Sequence, residues 1–204
     1  KFNIIPEFCF GCYKVQVEPR SILELIKLFL IFDQIKLTKN NTRKCMVEMR
    51  SEISGFYKGI IYCDNMEEAH QIAHNIEVLV NKNISPGLHA SVKRGCSEYA
   101  IAFPEFNEIN KSGIQLMSYN EDWKLIEKNH DAVNLLKSDT TTRTTCSGLN
   151  LSDILIIRNW IDYAKGIGDQ SALLLCKDKI FSKFIHNVAK KRLETFRWQP
   201  ISSN

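Results

Sequence analysis

The sequence predicts an α+β protein. A ferredoxin-like, split β-α-β domain (β-α-β-β-α-β) covers residues 9–104, and a mainly helical C-terminal region over 105–204 packs on it. Three observations carry this prediction. Between residues 12 and 103 the apolar positions alternate with period two or recur at helical spacing, in the order strand, helix, strand, strand, helix, strand. Turn-forming residues separate these runs at Pro19, Asn40-Asn41, Ser51 to Gly55 and Pro86-Gly87. After Pro104 the alternation stops and helical patterns take over. "Ferredoxin-like" describes topology only and implies neither a function nor a cluster.

Each element follows from its residues. Tyr13, Val15 and Val17 alternate with Lys14, Gln16 and Glu18, the period of a half-buried strand, which Pro19 ends. Ser21 caps a helix from Ile22 to about Ile35 that is apolar almost all the way round, so it must be buried on more than one face. Cys45 to Arg50 reads as the second strand, and Phe56 to Cys63, rich in aromatic and branched residues, as the third. Asp64 or Asn65 caps a helix reaching Asn81, with Ala69, Ile72, Ala73, Ile76, Leu79 and Val80 at helical spacing. Leu88 to Phe103 is extended, either one strand bulged at Gly95 or two strands meeting there. Helical patterns then cover Glu121 to Leu136, Ile154 to Lys165 (opened by Ser152 or Asp153) and Asp169 to Phe196, the last either continuous or broken near Lys177. Residues 138–150, Thr-rich and poor in packing material, read as a mobile loop.

Composition narrows the class without naming a partner. With 44% hydrophobic and 25% charged residues among 204, the chain has the balance of an ordinary globular protein. A net charge of +4 neither requires nor excludes nucleic acid, and no run is long and apolar enough for a membrane span. Seven cysteines, an odd number in a chain large enough to fold without staples, favour a reducing compartment. The expected location is the cytoplasm.

The cysteines supply the leading candidate site. Cys9 and Cys12 form a C-x-x-C pair just before the first strand. In the predicted sheet Cys12 begins the first strand, Cys45 begins the second and Cys63 ends the third, which places Cys9, Cys12, Cys45 and Cys63 at one end. Four thiolates there would hold a metal, with zinc preferred to an iron-sulfur cluster. Gly11 would help turn backbone amides towards the sulfurs. The alternative is that these cysteines are small apolar core residues. A thioredoxin-like redox role fits less well, because the pair precedes a strand and not a helix. Cys96 in Lys93-Arg94-Gly95-Cys96 has two cationic neighbours, Cys146 lies in the Thr-rich loop, and Cys176 follows three leucines.

Other patterns point elsewhere. His70 and His74 are four apart on the second helix, a metal-pair spacing that a solvated helix flank explains better. From Lys177 to Arg197 seven basic residues face two acidic ones. Lys183, Lys190, Lys191, Arg192 and Arg197, beside Phe181, Phe184, Ile185 and Val188, would suit a nucleic-acid-binding helix. A polar sheet face with Lys14, Gln16 and Lys58 would offer a further RNA surface. An enzyme with a pocket between the sheet domain and the C-terminal helices, or a buried polar cluster around Arg20, Arg50 or Arg94, is the third class. The apolar helix over 22–35 needs a cover, either the C-terminal helices or a second copy in a homodimer.

Overall fold

The computed structural model of the protein describes residues 3–51, 53–96, 99, 101–108, 117–134, 148–175 and 183–195. A four-stranded antiparallel sheet is built from β1 (Tyr13–Val17), β2 (Arg43–Val47), β3 (Tyr57–Cys63) and β4 (Ala90–Arg94), in the order β2-β3-β1-β4. Helix α1 (Ile22–Gln34) connects β1 to β2, and α2 (Met66–Asn83) connects β3 to β4. Four further helices follow: α3 (Trp123–Asn134), α4 (Leu151–Gly166), α5 (Gln170–Leu175) and α6 (Lys183–Thr195). The protein is therefore a mixed α+β molecule. No helix among the described residues is long and apolar enough to cross a membrane.

Both connecting helices lie on one face of the sheet. Alternation turns Tyr13, Val15 and Val17 of β1 and Ile61 and Cys63 of β3 towards them, against Leu28 and Phe32 of α1 and Ala69, Ile72, Ala73, Ile76 and Val80 of α2. Gly59 in β3 lets α1 approach this closely, because a Cβ there would overlap the Leu28 side chain. The stripe read from the sequence, apart from the half-buried Leu79, is the buried face of α2, capped by Asn65, whose side chain accepts from the Glu68 amide at 2.9 Å.

The second apolar face of α1 is covered within the chain. Ile22, Leu25, Ile26 and Phe29 pack with Trp160 and Ala164 of α4 and Ala172 of α5, and the Phe29 and Trp160 rings meet edge-on at 5.7 Å. A second copy is not needed to bury this helix. The α1 N-terminus is sealed from both near and far in sequence. The Ser21 hydroxyl accepts from the Glu24 amide at 3.2 Å, while Asp169 accepts from the Ile22 amide at 2.6 Å and Ser171 from the Leu23 amide at 3.3 Å. Asp169 also accepts from the Tyr57 hydroxyl at 2.7 Å, so one carboxylate ties β3, α1 and α5 together. Burial pushes its carboxyl up, but the donors from Tyr57, Ile22 and Ser171 outweigh that and hold it below its ordinary value.

Asp169→Asn is accordingly expected to destabilise the protein by about 1–3 kcal/mol, as loss of a charged acceptor with several donors implies. The wild-type contribution is fully present above the unfolded carboxyl value and is lost as pH falls through the lower folded value. Denaturant melts of both proteins across acidic pH check this, with the difference shrinking as pH falls.

Three element predictions change. Helix α4 begins at Leu151, because Asn150 and Asp153 form a reciprocal capping box, each side chain accepting from the other's amide at 3.0 and 2.9 Å. The last strand ends at Arg94, and Leu88 to Phe103 is not extended throughout; 3₁₀ turns follow, including Pro104–Asn107. Strand β2 runs from Arg43 to Val47 and not from Cys45 to Arg50; α5 and α6 fall within the stretch predicted as helical from Asp169, and the break expected near Lys177 lies outside the described residues. Cys146, Cys176, Arg197 and most of the loop predicted over 138–150 lie outside the described residues.

Candidate functional site

The thiols that come together are Cys9, Cys12 and Cys96. Strand register explains why. β1 pairs with β4 so that Tyr13 lies opposite Arg94, which sets Cys12 beside Gly95 and brings Cys96 to the C-x-x-C turn. The Gly95 amide donates to the Cys12 carbonyl at 3.0 Å, and a Cβ at Gly95 would overlap the Cys12 sulfur. Cys9 is buried in a 3₁₀ turn, Glu7–Phe10. Its sulfur lies 3.9 Å from that of Cys96, and Cys12 interacts electrostatically with Cys96.

Gly95→Ala is therefore expected to push Cys12 away from Cys96 and to slow or disperse the reaction of these thiols with an alkylating reagent. Timed alkylation followed by peptide mass analysis reads the effect at each cysteine.

Cys45 does not join this group. β2 begins at Arg43, two residues earlier than predicted, so Cys45 pairs with Gly59 and stands four residues short of Cys63, about 13 Å along the strand. The position opposite the end of β3 is held by Asn41, whose amide donates to the Tyr62 carbonyl at 3.0 Å. Cys45 packs between the two apolar clusters around α1, and burial alone pushes its thiol up. Cys63 is opposite Tyr13 and faces the helices; burial, followed by the charges of Glu68 and Asp64, pushes its thiol up to about 11.

The three convergent sulfurs are electrically unequal. Interaction with Cys12 and the bond accepted from Cys9, aided by the charges of Lys14 and Lys44 against the cost of burial, hold the Cys96 thiol far below the ordinary value. The interaction with Cys96 and then burial push Cys9 and Cys12 up. One anionic sulfur with two protonated neighbours is the arrangement this favours. Lys14 is buried, and its ammonium donates to the Gly95 carbonyl at 3.3 Å, next to Cys96. The Gly11 and Cys12 amides donate to the carbonyls of Phe8 and Cys9, at 3.3 and 3.2 Å, and not to sulfur as the C-x-x-C reading expected.

Arg94 holds the site in place. It is 1% exposed, and its guanidinium donates to the Phe10 carbonyl at 2.7 Å and the Phe106 carbonyl at 3.1 Å. It also stacks over the rings of Tyr13 and Phe106, at 4.7 and 5.0 Å. One side chain thus clamps the turn carrying Cys9 to the segment after Cys96. Around them Ile5, Phe10, Tyr99, Phe103, Phe106 and Trp123 form an apolar cluster that also contains Cys9 and Cys96.

The remaining candidates stand apart. His70 and His74 are exposed on α2. Lys14, Gln16 and Lys58 are buried and do not form an open RNA surface; Lys58 lies 3.5 Å from the Glu48 carboxylate. Glu48 is also paired with Arg50 at 2.8 Å, which holds its carboxyl down at about 2. Arg20 is half-exposed and pairs with Glu24 at 2.7 Å. Among the described residues, no group of three or more His, Cys, Asp or Glu stands ready as placed to hold a metal ion.

Comparison of the chain with protein-family models, curated proteins and solved structures found no match. The reading of the site rests on its own chemistry.

Proposed function

We propose that this is an accessory protein with a cysteine-ligated metal site, in which Cys9, Cys12 and Cys96 supply the sulfurs and zinc is the preferred ion over an iron-sulfur cluster. Cys96 takes the place expected for Cys45, and Cys63 is a further thiol whose charge acts on Cys12. The observation that carries the reading is the 3.9 Å separation of the Cys9 and Cys96 sulfurs. Two thiolates on one tetrahedral zinc, each bonded at about 2.3 Å, stand about 3.8 Å apart. A disulfide would instead require about 2.05 Å. The low thiol value of Cys96 supplies a first anionic ligand, and an arriving cation would displace the protons of Cys9 and Cys12. Joining all three sulfurs to one ion requires side-chain movement, since no three ligands among the described residues stand ready as placed.

For the fold we propose a ferredoxin-like domain over 9–104, with 105–204 a helical region added to it; the element order β-α-β-β-α-β and the strand order β2-β3-β1-β4 support this reading, which by itself implies no metal. The test of the metal site is elemental analysis of protein purified without oxygen or added metal. About one zinc per chain, released by a thiol-modifying reagent, is the expected result; a metal-free, fully folded protein overturns the proposal.

One observation favours a second reading. No residue of α6 is buried, and Phe184, Ile185, Val188 and Leu193 are exposed beside Lys183, Lys190, Lys191 and Arg192. Such a helix suits nucleic-acid binding through phosphate contacts. Replacing Lys190, Lys191 and Arg192 by Gln would then abolish a salt-sensitive shift in a duplex or single-strand binding assay; unchanged or absent binding removes this reading.

A further inference from the structure

A cavity of about 510 Å³ lies between the N-terminal segment, residues 99–103 and α3, within the range of about 300–1,000 Å³ typical of small-molecule sites. Its walls are Ile4, Pro6, Phe8, Ile101 and Phe103, and its polar side is Glu127, His130 and Asp131 of α3. We propose that this cavity binds a small organic cation with an apolar, ring-sized body. Two independent features select that chemistry.

The first is charge. Glu127 and Asp131 are one helical turn apart, so two like charges border the same space, and no Lys or Arg is among the described residues lining it. Lys124, one turn earlier on α3, is turned to Glu121 at 3.6 Å. His130 Nδ1 lies 3.7 Å from the Asp131 carboxylate, and among the described residues it is the one basic side chain in the lining. Glu127 is held in place, accepting from the Glu7 amide and the Tyr119 hydroxyl, each at 3.0 Å, so its orientation does not depend on a ligand.

The second feature is the apolar wall. Phe8 and Ile101 line the cavity yet are 75% and 91% exposed, large apolar surface that an occupant would cover. Phe8, Tyr99 and Phe103 offer aromatic rings to a cation that sits between them and the carboxylates. Apolar surface on one side and anionic oxygens on the other fit an aryl-alkyl ammonium group. They reject a carboxylate of the same shape.

Binding of 2-naphthylmethylammonium, 2-naphthylmethanol and 2-naphthoate, followed by calorimetry or ligand-observed NMR, tests the proposal. The ammonium compound is expected to bind about fivefold or more tightly than the alcohol, with the carboxylate weakest. Asp131→Asn, a change at an exposed residue, should lower affinity for the ammonium about threefold or more while leaving the alcohol and the melting temperature unchanged. Ile101→Ala should weaken both. Equal binding of the three probes, no saturable binding of the ammonium, or an Asp131→Asn protein indistinguishable from wild type overturns it. Zinc content is the same in all these proteins if the thiol site is as proposed, so the two proposals fail separately.

Discussion

Arg94→Met is expected to cost about 2–5 kcal/mol of folding stability, the largest effect of any single substitution considered for this protein. Its guanidinium is almost fully buried, and among the described residues its partners are two backbone carbonyls and two aromatic faces. Burial lowers the pKa, yet an arginine begins so high that it stays charged. Removing it leaves the carbonyls of Phe10 and Phe106 buried without those donors, each worth about 1–3 kcal/mol. Arg94→Lys keeps the charge but replaces a planar fork by a single ammonium, so about half the loss is expected. Equilibrium urea melts measure both. A lysine variant as stable as wild type would show that charge alone, and not the two-carbonyl clamp, is what the site needs.

The second large effect is on the ion. In Cys96→Ser the metal content is expected to fall from about one per chain to near zero, and the melting temperature to the level of chelator-treated wild-type protein. Chelator should have no further effect on the variant, because an ion that binds only the folded state stabilises it by mass action and an absent ion cannot be removed. Structural zinc contributes about 10–16 kcal/mol in domains that cannot fold without it. A smaller share is expected here, since the sheet and its two helices have an apolar core of their own. Differential scanning fluorimetry with and without chelator reads this directly.

The strands, the two connecting helices and their buried stripes were legible because they are local: alternation in β1, the Ala69 to Val80 stripe in α2 and the Ser21 and Asn65 caps are set by neighbouring residues. What was not legible depends on distant partners. The α1 N-terminus is completed by Asp169 and Ser171, about 150 residues away, and no local pattern marks an aspartate for that purpose. The candidate site was half legible for the same reason. Cys9 and Cys12 announce themselves by spacing, but their partner depends on register. Starting β2 at Cys45 and not at Arg43 brought the wrong thiol to the sheet end. Cys96 was within reach of the argument: antiparallel β4 ends where β1 begins, and Gly95 is the residue whose missing Cβ admits the Cys12 sulfur. The cationic neighbours noted in sequence, Lys93 and Arg94, are not the ones that act on Cys96; Lys14 and Lys44 are, from other strands.

Cobalt(II) loading of metal-free protein tests the central claim most directly, because thiolate ligation produces a near-ultraviolet charge-transfer band and tetrahedral geometry an intense visible one. The account predicts both bands at one equivalent in the wild-type protein and in Cys45→Ser, and their loss in Cys96→Ser. Bands that survive Cys96→Ser but vanish in Cys45→Ser, or no thiolate band in the wild type, would contradict it.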